Sequence, residues 1–178
     1  MRLPILAASP FVLVGLLAAP ALGQEVTQEE VTGIRNFARV GTTIACAGAI
    51  NPASVPEIGR MGFVSIINLR RASEEDANVE QEAAAVAAAG LKYFHIPYDG
   101  SADPAVAGQF LDAITSEGAE PAFVHCAGGN RAATMWLIKR IAIDHWDVER
   151  ATEEAIALGQ GNPEARQFAI EYAQAHLR

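Results

Sequence analysis

The residues best equipped for chemistry lie in one run, Phe123-Val124-His125-Cys126-Ala127-Gly128-Gly129-Asn130-Arg131. An apolar stretch ends at a cysteine, two glycines follow, and an arginine opens a segment of helical composition. Backbone N–H groups of a glycine-bearing turn at a helix N-terminus point at a bound oxyanion, and the helix dipole favours negative charge there. A thiol in that field ionises more readily than the free amino acid does. The pattern therefore describes an anion cradle with Cys126 as a nucleophile at its floor. The chain is acidic overall, so an anionic substrate must be captured by local positive potential, and Arg131 is the residue placed to supply it.

Such a cradle needs a strand to deliver the cysteine and a helix to receive the arginine. Residues 121–125 read as that strand and residues 132–144 as that helix. Upstream, residues 63–69 are β-branched and almost uniformly apolar, the signature of a buried strand. Shorter strands are expected at 42–46 and 92–96. Between them fall helical stretches at 52–60 with Asn51 as N-cap, at 74–89 with Ser73 as N-cap and Gly90 as stop, and at 104–116 with Asp103 as N-cap. Two further helices are expected at 148–158 and 163–176. Residues 25–40, with Val31, Ile34 and Phe37 at helical spacing, read as a short helix or an irregular lead-in. The alternation predicts an α/β fold of three layers, a mainly parallel sheet of about four to five strands flanked by helices. Its ligand site lies at the carboxyl ends of the strands.

Composition sets the context. Residues 1–23 read as a secretory signal: Arg2 gives the positive start, 11–19 the apolar core, and Ala21-Leu22-Gly23 a small-residue cleavage site. The apolar core is too short for a good membrane span, so no stable insertion is expected after cleavage, and the product is periplasmic or secreted. Residues 24–178 are long enough for one domain with a real core. With 13 Lys and Arg against 21 Asp and Glu, the net charge of −8 argues against nucleic acid and anionic lipid as partners. There are two cysteines, Cys46 and Cys126. One bridge would be a sparse framework for a chain of this size, so Cys126 is read as a thiol available for chemistry, with a structural Cys46–Cys126 bridge or a reversible redox bridge that protects the nucleophile as alternatives. No cluster has metal-ligand spacing and no cofactor is expected.

His125-Cys126, the glycine loop and Arg131 resemble the phosphate-binding loop of the cysteine-dependent protein tyrosine and dual-specificity phosphatases. Ile66-Ile67-Asn68-Leu69-Arg70 with the acidic cluster after it, and Trp136, Glu154-Ala155 and Gly159 downstream, sharpen the likeness. It is strongest to the bacterial tyrosine-phosphatase-like branch related to the beta-lactamase-hydrolase-like domain, from about residue 36 to about residue 160. The resemblance implies a phosphorylated protein or small molecule as substrate and a phosphocysteine intermediate. Cys126 would attack phosphorus, and Arg131 would hold two phosphate oxygens. The amides of Ala127, Gly128, Gly129 and Asn130 would complete the cradle, and His125 would orient the loop and help hold the thiolate. Asp99, following Pro97-Tyr98 after a strand, matches the family's acid loop. Asp103 is its rival, although as an N-cap it has a structural role of its own.

Two features depart from the common pattern. Only four residues separate Cys126 from Arg131, as in the bacterial branch, where most members have five. Ala132 stands where most members carry a hydroxyl that helps sulfur leave. A four-residue loop also suits a rhodanese-type sulfurtransferase with a persulfide on Cys126. His125, the downstream helices with Trp136 and the lack of that family's usual entry segment weigh against it. The missing hydroxyl leaves a non-catalytic phosphate-binding module as a further alternative.

Overall fold

The computed structural model describes residues 25–178, and the expected secretory signal lies outside them. In chain order the strands and helices are β1 (Val26–Val31), β2 (Ile34–Val40), β3 (Ile44–Ala47), α1 (Val55–Arg60), β4 (Ser65–Asn68), α2 (Val79–Ala88), β5 (Lys92–His95), α3 (Pro104–Ile114), β6 (Ala122–His125), α4 (Asn130–Ala142), α5 (Val148–Ala157) and α6 (Pro163–Ala175). The sheet order is β1-β2-β3-β6-β4-β5, with β3, β6, β4 and β5 mutually parallel and β1 and β2 antiparallel at one edge. The α/β expectation holds, with six strands among the described residues instead of four to five.

The additional strands come from 25–40, which form a hairpin and not a helix. Gly33 takes φ +79° in the two-residue turn, and Val31 pairs directly with Ile34. The helical spacing of Val31, Ile34 and Phe37 loses to this turn: Gly33 takes its positive φ at no steric cost, and β2 gains ladder hydrogen bonds to strands on both sides. A second departure lies at 74–89, where the helix starts only at Val79. Buried Arg70 takes the carbonyls of Glu75 and Asp76 that a helix would have used, and Asp76 and Asn78 adopt positive φ. Ser73 therefore caps nothing.

Strand periodicity distributes the core over two faces. Ile44, Cys46, Ile67 and Val124 pack against α3, α4, α5 and α6, while Ala45, Ala47, Ile66 and Phe123 pack against α1 and α2. Phe123 stacks on Phe37 at 6.1 Å and takes Phe63 edge-on at 5.9 Å. Helix α4 is enclosed on all sides, with every residue from Ala132 to Ala142 buried, Lys139 and Arg140 included. The expected caps are present at Asn51, which accepts from Ala53 N–H at 2.9 Å, and at Asp103, which accepts from Ala105 N–H at 2.9 Å. Among the described residues no helix is long and apolar enough to cross a membrane.

Candidate active site

Parallel strands in register end at one edge, and that edge carries the site. Asn68 is level with both His125 and His95, so the segments after β4, β6 and β5 emerge side by side. They surround a cavity of about 430 Å³ lined by Cys126, Gly128, Asn130 and Arg131 of the cradle, with Arg71, Glu74, Asp99, Gly100 and Asn162 around it. Cys126, 1% exposed, is anchored by its own N–H donating to Ala47 O at 3.1 Å. The N–H of Gly129 donates to Cys126 Sγ at 3.1 Å. Gly129 stands at the N-terminus of α4 with φ +102°, a conformation that glycine adopts at no steric cost. Gly48 lets the end of β3 close on the loop, since a Cβ there would stand 2.9 Å from Ala127 O.

Arg131 is locked in a fork-to-fork pair, Nη1 to Glu74 Oε1 at 2.7 Å and Nη2 to Glu74 Oε2 at 2.8 Å. Nη1 also donates to Leu69 O at 3.2 Å and to Tyr98 O. The guanidinium is thereby fixed against the ends of two strands. Glu74 is 13% exposed, and its hydrogen bonds from Arg131, together with the N–H of Arg71, hold its carboxyl down at about 2 against burial. A carboxylate held below its unfolded value adds stability above the ordinary range near 4.5 and loses it as pH falls toward 2. Acidification across that window should therefore weaken the wild-type fold, and urea denaturation against pH should show Glu74→Gln lacking that component.

His125 lies on the α2 face of the sheet and away from the Cys126 sulfur. Its Nε2 pairs with buried Glu82 at 2.8 Å, and Asn68 Nδ2 donates to the same carboxylate at 3.2 Å. The imidazole fixes the end of β6 from behind and reaches the cradle through the backbone. His95, at the end of β5, faces the Arg70 carbonyl at 2.8 Å.

Of the two aspartates considered as acids, Asp99 borders the cavity and Asp103 is occupied as the α3 cap, also accepting from Val106 N–H at 3.2 Å. Ser101, through its hydroxyl and its N–H at 2.9 Å, holds the exposed Asp99 carboxyl below the usual aspartate range. Ala132 is buried, and Thr134 is turned back along the helix to donate to Asn130 O at 2.8 Å. Asn130 Oδ1 accepts from the N–H groups of Gly161 and Asn162 at 2.8 and 3.1 Å, tying the α5–α6 connection to the cradle.

Both cysteines are free thiols. Burial, and then the proximity of Cys126 and Glu154, push the Cys46 thiol well above its usual range, so it stays protonated beneath the cradle. Among the described residues no group of three or more His, Cys, Asp or Glu side chains could hold a metal ion.

Glu74 and Asn162 are the site residues that the sequence did not reveal. The acidic cluster after β4 was visible, but it reads equally well as the first turn of a helix. Of the two arginines after β4, Arg70 is 4% exposed and braces the loop, while Arg71 lines the cavity.

Comparison with known proteins agrees with this geometry. The family model described as "Beta-lactamase hydrolase-like protein, phosphatase-like domain" matches residues 36–143. The beta-lactamase hydrolase-like protein of Agrobacterium fabrum (strain C58 / ATCC 33970) is 35% identical over 105 residues, covering 56% of this chain and 24% of that protein. The chain thus spans about a quarter of that relative's length. Among solved structures, P. aeruginosa TpbA has a TM-score of 0.61 at 21% identity, covering 88% of this chain and 92% of its own. The core catalytic domain of the PP-IP phosphatase SIW14 from S. cerevisiae, solved with citrate, has a TM-score of 0.63 at 18% identity, covering 80% and 88%. A cysteine-to-serine variant of TpbA was solved with phosphotyrosine. With the family match spanning more than half of its residues, the chain belongs to the phosphatase-like domain family of the beta-lactamase hydrolase-like proteins, and it shares the fold of solved phosphatases.

Proposed function

We propose that this protein is an exported phosphatase that hydrolyses a phosphate monoester through a phosphocysteine on Cys126. One observation carries the proposal: the Gly129 N–H is aimed at Cys126 Sγ from the first turn of α4, beside a guanidinium clamped by Glu74. Sulfur attacks phosphorus as the bond to the leaving oxygen breaks. The cradle amides and Arg131 bear the charge of the equatorial oxygens. Asp99 gives its proton to the leaving oxygen. Water then attacks phosphorus, Asp99 takes back a proton, and the S–P bond breaks to return the thiolate and release phosphate. Asp99 is ionised in the free protein, and the like charge of a bound phosphate dianion raises its proton affinity. Gly129 N–H serves the departing sulfur in place of the hydroxyl missing at Ala132. The phosphotyrosine held by TpbA supports an aryl phosphate as the first substrate to try, and the signal-like composition of residues 1–23 supports export.

Mature protein should turn over an aryl phosphate and not transfer sulfur from thiosulfate to cyanide. Asp99→Asn should lower kcat by about a hundredfold and flatten the basic limb of the pH–rate profile. Sulfur transfer alone would refute the reading, and heat stabilisation by phosphate without turnover would leave a binding module.

A further inference from the structure

Two consecutive amides of the cradle are pinned from outside by their carbonyls. Ala127 O accepts from the N–H of Ala49 at 3.0 Å, and Gly128 O accepts from Asn36 Nδ2 at 3.0 Å. A trans peptide is planar, and its C=O and N–H point in opposite directions. Holding the Gly128 carbonyl outward therefore holds the Gly129 N–H inward, toward Cys126 Sγ. The first pin comes from a main-chain N–H that any residue but proline offers. The second depends on one side chain, and that side chain sits 92 positions away in sequence. Asn36 lies within β2 at φ +48°, a left-handed conformation that asparagine tolerates better than most residues. The flanking residue Arg35 exchanges backbone hydrogen bonds with Gly48 and Ala49, which fixes Asn36 against the loop.

We propose that Asn36 is a positioning residue for the nucleophile. Its carboxamide sets the plane of the Gly128–Gly129 peptide and so sustains the hydrogen bond that stabilises the Cys126 thiolate. The inference deepens the phosphatase reading and rests on a reactive Cys126.

The test is alkylation of Cys126 by iodoacetamide at pH 6, followed by mass spectrometry, which needs no substrate. Asn36→Gly removes the carboxamide and relieves the backbone, because glycine takes φ +48° freely. Asn36→Asp keeps the shape and the tolerance of that φ but replaces the donor by an oxygen. Both should be alkylated about fivefold more slowly than wild type, the size of one hydrogen bond, with the thermal midpoint held within a few degrees. The acid limb of kcat/KM should move to higher pH in parallel. Alkylation of Asn36→Gly at the wild-type rate overturns the assignment. If that variant is poorly folded, a wild-type rate in Asn36→Asp overturns it equally. A wild-type Cys126 inert at pH 6 would instead bring down the phosphatase reading, and Asn36's role with it.

Discussion

Cys126→Ser loses aryl phosphate turnover by about three orders of magnitude or more, while inorganic phosphate still binds. The contrast follows from what the cradle contributes and what sulfur alone contributes. Anion capture rests on the loop amides at the N-terminus of α4 and on Arg131, clamped by Glu74 at 2.7 and 2.8 Å, and none of these is altered by the change. Attack requires an ionised nucleophile. His125 cannot act as general base to a serine hydroxyl, since it is turned to Glu82 on the opposite face of the sheet. Serine is close to cysteine in size and leaves the loop amides in place, so phosphate affinity should be retained. Steady-state rates and calorimetric titration with phosphate check the two halves separately. Retention of more than a tenth of the activity would remove Cys126 from the mechanism.

Glu154→Ala destabilises the protein by about 3 kcal/mol, the low end of the cost of breaking a buried ion pair, because Arg140 keeps a second carboxylate. Glu154 Oε1 accepts from Trp136 Nε1 at 2.7 Å and from Arg140 Nε at 2.7 Å, and Oε2 accepts from Arg140 Nη2 at 3.1 Å. All three side chains are buried. Arg140 lies over the rings of Trp136 at 4.4 Å and Trp146 at 3.9 Å, so it cannot swing out to water without dismantling the packing between α4 and α5. Asp144, 3.0 Å from Nη1, is the charge partner that remains. Glu154→Gln keeps an acceptor for one donor and should lie between wild type and the alanine variant. Urea denaturation measures both, and a loss below about 1 kcal/mol in the alanine variant would show that the pair is relieved by water. Replacing Arg140 and Glu154 together by apolar residues should recover much of the loss.

The local sequence was enough for the parts of the site that are contiguous. Cys126, Gly128, Gly129 and Arg131 fall within six positions, and the demands of a strand–turn–helix connection act over that same distance. Asn51 and Asp103 were readable as caps for the same reason, because a cap satisfies amides two or three residues away. The apolar spacing of 25–40 fits a helix, and what decides against one is the pairing of β2 with β3, a partner that begins only at Ile44. The late start of α2 was hidden similarly. Residues 74–77 have helical composition, but Arg70, buried at the end of β4, claims their carbonyls.

The sequence by itself determined that a cysteine, a glycine turn and an arginine stand together, and that strands alternate with helices so as to put them at a sheet edge. Only the tertiary structure decided which groups serve them. Glu74 clamps Arg131 across 57 positions and Asn36 reaches Gly128 across 92. His125 turns away from the sulfur that it precedes because alternate residues of a strand face opposite sides. Motifs record chemistry within a turn or two of chain, whereas orientation depends on partners brought together by the register of parallel strands, and no local pattern encodes that register.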